Sequence, residues 1–140
     1  MNTPPFHLAF PVINIPSTRK FYTNVLGCDI GRESEHWIDF DFFGHQITAH
    51  LVEADEKGEN CNLVDNKAVP ARHFGVILPW NDWDQLVARV STHEMAFYIE
   101  PYTRFKEQIG EQRTFFIQDP SQNFLEFKCF RDPNYIFKAE

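Results

Sequence analysis

With 140 residues the chain has room for one domain, or for two small half-domains sharing a core. Apolar residues at 43% and 15 Phe supply a sizeable core, while a net charge of -7 argues against a general electrostatic footprint for nucleic acid or anionic membrane. No apolar stretch approaches the roughly 20 residues of a membrane span. The first residues lack a basic and then apolar leader pattern, and Cys28, Cys61 and Cys129 form no CxxC, so the expectation is a soluble, cytoplasmic protein with free thiols.

In chain order, residues 6–12 alternate as a strand, with Phe6, Leu8 and Phe10 facing a core and His7, Ala9 and Pro11 facing away. Ser17 or Thr18 is placed to cap a helix over 19–26, and Gly27 ends it. Residues 36–42 alternate again, with Ile38, Phe40 and Phe42 against Trp37, Asp39 and Asp41. A turn at 43–45 returns the chain as a strand over 46–52, whose Gln46, Thr48 and His50 share a face. Residues 53–71 are polar and read as a connecting loop, long enough to be either functional or mobile.

A strand over 72–78 opens the second half with His73 near its head. Asn81 or Asp82 caps a helix over 83–93 with Trp83, Leu86, Val87 and Val90 as its apolar stripe. Strands follow over 97–99 and 113–118, separated by a polar piece. Asp119 to Asn123 form a turn shaped by short polar side chains, and 124–130 is the last strand. Glu126 interrupts that apolar run, where an unpaired buried carboxylate would be costly. Both halves thus read strand, helix, strand, strand, strand, with a histidine early in each first strand. The expected fold is α+β with two βαβββ modules, at 6–52 and 72–130, a linker at 53–71 and a tail at 131–140.

The text His7-Leu-Ala-Phe-Pro-Val, the helix end Phe21-Tyr22-Thr-Asn-Val-Leu26-Gly27, Arg72-His73-Phe-Gly-Val and Asp119-Pro120-Ser-Gln-Asn123-Phe-Leu-Glu126 resemble the vicinal oxygen chelate superfamily. That superfamily includes glyoxalase I, bleomycin- and fosfomycin-resistance proteins and extradiol dioxygenases; the chain most resembles small proteins described as predicted extradiol-type dioxygenases. The resemblance implies curled mixed or antiparallel sheets around a divalent metal, with His7, His73 and Glu126 as its ligands. Two histidines and a carboxylate suit Fe(II), with Mn, Zn or Ni as alternatives. His50 or Gln46 stands where glyoxalase-like members place a fourth ligand, and neither is a carboxylate. Extradiol enzymes carry a tyrosine about where Phe116 stands, so His50, Tyr98, Tyr102 or Arg113 is expected to move protons instead.

The activity implied is that of a metal-dependent, dioxygenase-like enzyme acting on a small aromatic diol. A glyoxalase-like lyase or isomerase and a non-catalytic small-molecule binder are the alternatives. The resemblance also implies a homodimer.

Overall fold

The computed structural model describes residues 3–54 and 61–139. The described residues up to 54, together with 119–123, form one compact unit, and those of 61–118 and 124–139 form the other.

In the first unit, β1 (His7–Val12), β2 (Asp29–Glu33), β3 (Trp37–Phe42) and β4 (His45–Leu51) form a sheet of order β1-β4-β3-β2. β1 runs parallel to β4, and the remaining pairs are antiparallel. Phe10, Val12, Ile38, Phe40, Phe42 and Ile47 are buried on one face, as alternation requires. The helix α1 (Ile15–Lys20) begins earlier than Ser17 or Thr18 would place it. Asn14 is the cap, accepting from the Ser17 N–H at 2.8 Å, and Pro16 fits the first turn, where its missing N–H costs nothing. The chain continues as a π-helical turn over Phe21–Val25, and Gly27 then takes a φ of 74°. β2 supplies the strand after the helix that the repeat requires but that no segment of the first half signals: its five residues are all exposed, so it shows no alternation between buried and exposed positions.

In the second unit, β7 (Ile99–Arg104), β8 (Gln112–Gln118) and β9 (Phe124–Phe130) are antiparallel neighbours. Residues 74–78 complete this sheet by isolated parallel bridges to β9, Phe74 to Leu125 and Ile77 to Lys128. The order 74–78, β9, β8, β7 repeats that of β1, β4, β3, β2, and the helix α2 (Trp80–Ser91) sits in sequence where α1 does. The repeated βαβββ plan is therefore present, one copy per unit. The helix starts at Trp80 rather than at 83, and Trp83, Leu86 and Val90 are its buried stripe. Phe115 and Phe127 are fully buried, each contributing about 1.5–3 kcal/mol by leaving water.

The 53–71 stretch is not all loop. β5 (Cys61–Val64) and β6 (Lys67–Pro70) pair as a hairpin through a two-residue turn, Asp65 and Asn66, at φ 51° and 63°. Such a turn needs two positive φ values, which Asp and Asn tolerate. Of the earlier loop reading, residues 55–60 lie outside the described residues.

Candidate metal and substrate site

The second sheet has two unlike faces. Leu125, Phe127 and Cys129 of β9 are buried, and the Trp83 indole of α2 donates to the Phe127 carbonyl at 2.9 Å. Phe124, Glu126 and Lys128 alternate with them and are only half-buried. Register places Phe116 of β8 beside Glu126, and Thr114 beside Lys128, on this second face.

His73 meets Glu126 there. Its Nε2 lies 3.2 Å from Glu126 Oε1, and the Thr114 hydroxyl donates to Oε2 at 2.5 Å. The other ring nitrogen, Nδ1, donates to the Pro70 carbonyl at 2.7 Å. Phe116 packs edge-on to the His73 ring at 5.1 Å. The local chain makes this meeting unavoidable. The Phe74 carbonyl accepts from the Glu126 N–H at 2.9 Å, and a Cβ on Gly75 would collide with the Glu126 carbonyl oxygen. Only glycine lets the backbone of 74–78 approach β9 so closely beside the histidine.

This geometry sets the electrostatics. The hydrogen bond to Glu126 raises the His73 pKa above its ordinary 6.5, against burial, and the bond to Pro70 adds to the rise. For Glu126, burial pushes upward most, but the hydrogen bonds from His73 and Thr114 together hold its carboxyl below the ordinary 4.5.

In the first unit, His7 is exposed at the start of β1, and Gln46 of β4 is its register neighbour. Thr48 and Asp39 follow on the same face. Asp39 is 7% exposed and accepts from the Thr48 hydroxyl at 2.6 Å and the Gln46 amide at 3.3 Å. His50, exposed near the end of β4, stands in register with Trp37 and Pro11. Among the described residues, no three His, Cys, Asp or Glu side chains are gathered as a metal would need them.

Two of the residues expected to move protons take other roles. Arg113 alternates with Thr114 and so points to the α2 side of the sheet. Its guanidinium lies 3.7 Å from the Trp80 ring centroid and 4.3 Å from that of Trp83, and donates to Asp84 at 2.7 Å and to the Trp80 carbonyl at 2.9 Å. It is on the face opposite Glu126, away from the expected proton-transfer position, and its carboxylate partner is Asp84 rather than Asp119. Tyr98 donates to the Ala68 carbonyl at 3.1 Å and sets its ring edge-on to Phe124 at 4.8 Å, which ties it to the β5–β6 hairpin.

The Asp119–Asn123 turn is a staple of the first unit. Asp119 Oδ1 accepts from the Ser121 and Asn123 N–H groups at 2.8 and 2.9 Å. Its Oδ2 accepts from the Asn123 amide and the Tyr22 hydroxyl, both at 2.9 Å. Asn123 also donates to the Pro11 carbonyl, and Ser121 Oγ accepts from the Ile13 N–H. Further along the Glu126 face of the second sheet, a cavity of about 820 Å³ opens beside Gln112 and Phe130, with Phe105, Ile109, Tyr135 and Lys138 in its lining.

Two βαβββ modules, the second carrying a histidine–glutamate pair on the sheet face opposite α2, define an α+β protein of the vicinal oxygen chelate kind. The chain belongs to the Glyoxalase/Bleomycin resistance protein/Dioxygenase superfamily, whose family model matches residues 5–127. A solved glyoxalase/bleomycin resistance protein/dioxygenase from Alicyclobacillus acidocaldarius shares 32% identity over 96% of each chain, at a TM-score of 0.81. The fosfomycin resistance protein FosX of Listeria monocytogenes has the same fold at 16% identity, covering 92% of this chain and 94% of that one, with a TM-score of 0.66. A lactoylglutathione lyase from Agrobacterium tumefaciens does so at 14% identity, covering 91% and 94%, with a TM-score of 0.62. No curated protein matches the chain. Among the described residues no helix is long and apolar enough to cross a membrane.

Proposed function

We propose that this protein is a cytoplasmic, homodimeric, metal-dependent enzyme acting on a small molecule with two adjacent oxygens, by extradiol-type cleavage of a small aromatic diol. One observation carries the reading. With Nδ1–H committed to the Pro70 carbonyl, a neutral His73 would present the Nε2 lone pair to a carboxylate oxygen 3.2 Å away. Two acceptors so placed need a positive charge between them, either a proton or a metal ion. The same second nitrogen bond is how a metal-binding histidine is commonly oriented.

The donor set therefore fits a divalent ion. His73 and Glu126 would hold it, with His7 as third ligand on the sequence pattern alone, and Fe(II) is favoured over Mn, Zn or Ni for a two-histidine, one-carboxylate set. The ion supplies a Lewis acid and open positions for vicinal oxygens. The protein's own part is orientation and exclusion of water. Thr114 pins one Glu126 oxygen, and Phe116 covers an edge of the imidazole with an apolar ring. Phe116 has no proton to give, so His50 is retained as the proton carrier.

A second reading, glyoxalase-like isomerisation, is favoured by Asp39. A carboxylate on the His7 face of the first sheet, oriented by Thr48 and Gln46, is the group such a proton transfer requires.

The test is metal analysis of anaerobically purified protein beside His73→Ala, then oxygen uptake with a catechol panel and isomerisation of a hemithioacetal. The expected result is one ion per chain, lost in the variant, with oxygen consumed by the Fe-loaded form. Full metal occupancy in His73→Ala would sink the ligand assignment. Isomerisation without oxygen uptake would select the second reading.

A further inference from the structure

The face that bears Glu126 bears a second polar group two strands away. Register puts Tyr102 of β7 beside Thr114, and Arg104 beside Gln112, both on that face. The Tyr102 hydroxyl and Arg104 Nε converge on one oxygen, Asp65 Oδ2, at 2.9 and 2.6 Å. The Lys67 ammonium lies 4.4 Å from the centroid of the Tyr102 ring. A hydroxyl and a guanidinium on one oxygen, with an ammonium over the face of the tyrosine ring beside them, are the chemistry that recognises a carboxylate.

The present occupant comes from the tip of the β5–β6 hairpin. That hairpin has four-residue strands, and its Leu63 is 79% exposed. A lone two-stranded hairpin is marginal in water, so the Asp65 contacts are a large part of what holds its tip. The Asp65 side chain is itself 40% exposed, which keeps this clamp exchangeable.

We propose that Tyr102, Arg104 and Lys67 form the site for an anionic group of the substrate, a small aromatic diol bearing a carboxylate, and that Asp65 is a resident competitor displaced when the substrate enters. Two strand spacings of about 4.8 Å separate β7 from β9, the length of one aromatic ring with a substituent at each end; Thr114 and Phe116 between them are covered, so a ring lies there only when the Asp65 clamp releases. The diol half of this statement rests on the metal reading above, whereas the carboxylate half does not.

The experiment follows that division. Benzoate and its neutral analogue benzamide are titrated calorimetrically into wild type, Asp65→Asn, Arg104→Gln and Tyr102→Phe, with thermal melts to confirm folding. Benzoate also ligates metals through its carboxylate, but that binding would be equal in all four proteins, so the difference between variants does not depend on the metal reading. Asn tolerates the positive φ at 65 and removes only the competing charge. Asp65→Asn is expected to bind benzoate about tenfold tighter, the gain when a competitor holding the site roughly nine-tenths of the time is removed, with benzamide unaffected. Arg104→Gln and Tyr102→Phe are expected to weaken benzoate selectively. Unchanged or weaker benzoate binding in Asp65→Asn, or an equal gain for benzamide, overturns the proposal.

Discussion

Asp119 and Glu126 stand seven positions apart in the sequence and are two very different carboxylates. Asp119 is 4% exposed and receives four hydrogen bonds, two from backbone and two from side chains. Burial still pushes its carboxyl above the ordinary 3.8, against the hydrogen bonds from Asn123, Tyr22 and Ser121. Glu126 is half-buried, has a hydroxyl on one oxygen and an imidazole nitrogen on the other, and is held below its ordinary value. A carboxylate whose lone pairs are filled by fixed donors has nothing left to offer a ligand and acts as a staple. One whose partner is a titratable ring remains open to exchange a proton for a cation.

Asp119 is the more vulnerable of the two. Asp119→Ala strands the Tyr22 hydroxyl and the turn amides, and should cost about 3–5 kcal/mol in chemical denaturation. Gly75→Ala should come next, at about 2–3 kcal/mol, because the added methyl meets the Glu126 backbone rather than a movable side chain. It should also lower metal affinity by pushing His73 away from Glu126. Tyr22→Phe removes one charged hydrogen bond while its ring stays stacked on Phe40, and should cost about 1.5–3 kcal/mol.

Glu126→Gln should have the smallest effect on stability, about 1 kcal/mol for the metal-free protein, because Gln is isosteric and its amide oxygen still accepts from Thr114. Its effect on bound metal should be the largest of the four. Its pH signature sharpens the contrast. The raised His73 pKa contributes stability fully below pH 6.5 and loses it as pH rises through the folded value. The lowered Glu126 pKa contributes stability above pH 4.5 and loses it as pH falls through the folded value. The metal-free protein should therefore gain most from the pair between about pH 4.5 and 6.5, and Glu126→Gln should flatten that profile in thermal melts.

The sequence determined what is local or periodic. Alternation alone settled the faces of β1 and β3, the span of β9 was legible to the residue, and the order of elements exposed the repeat. The Asp119–Asn123 turn was legible because its residues bond to their own backbone. The face of Arg113 is legible too: it alternates with Thr114 and shares a face with Phe115 and Ile117, which are buried. The β5–β6 hairpin was missed because strands of four polar and mixed residues carry too little periodicity.

Only the tertiary structure decided how 74–78 joins β9, since isolated parallel bridges leave no pattern in either segment. It alone brought Asp65 to Tyr102 and Arg104, 37 and 39 residues away. The reason is common to both. Periodicity records which way a side chain faces, while the partner it meets across a sheet is set by register between distant strands, and no single strand encodes that.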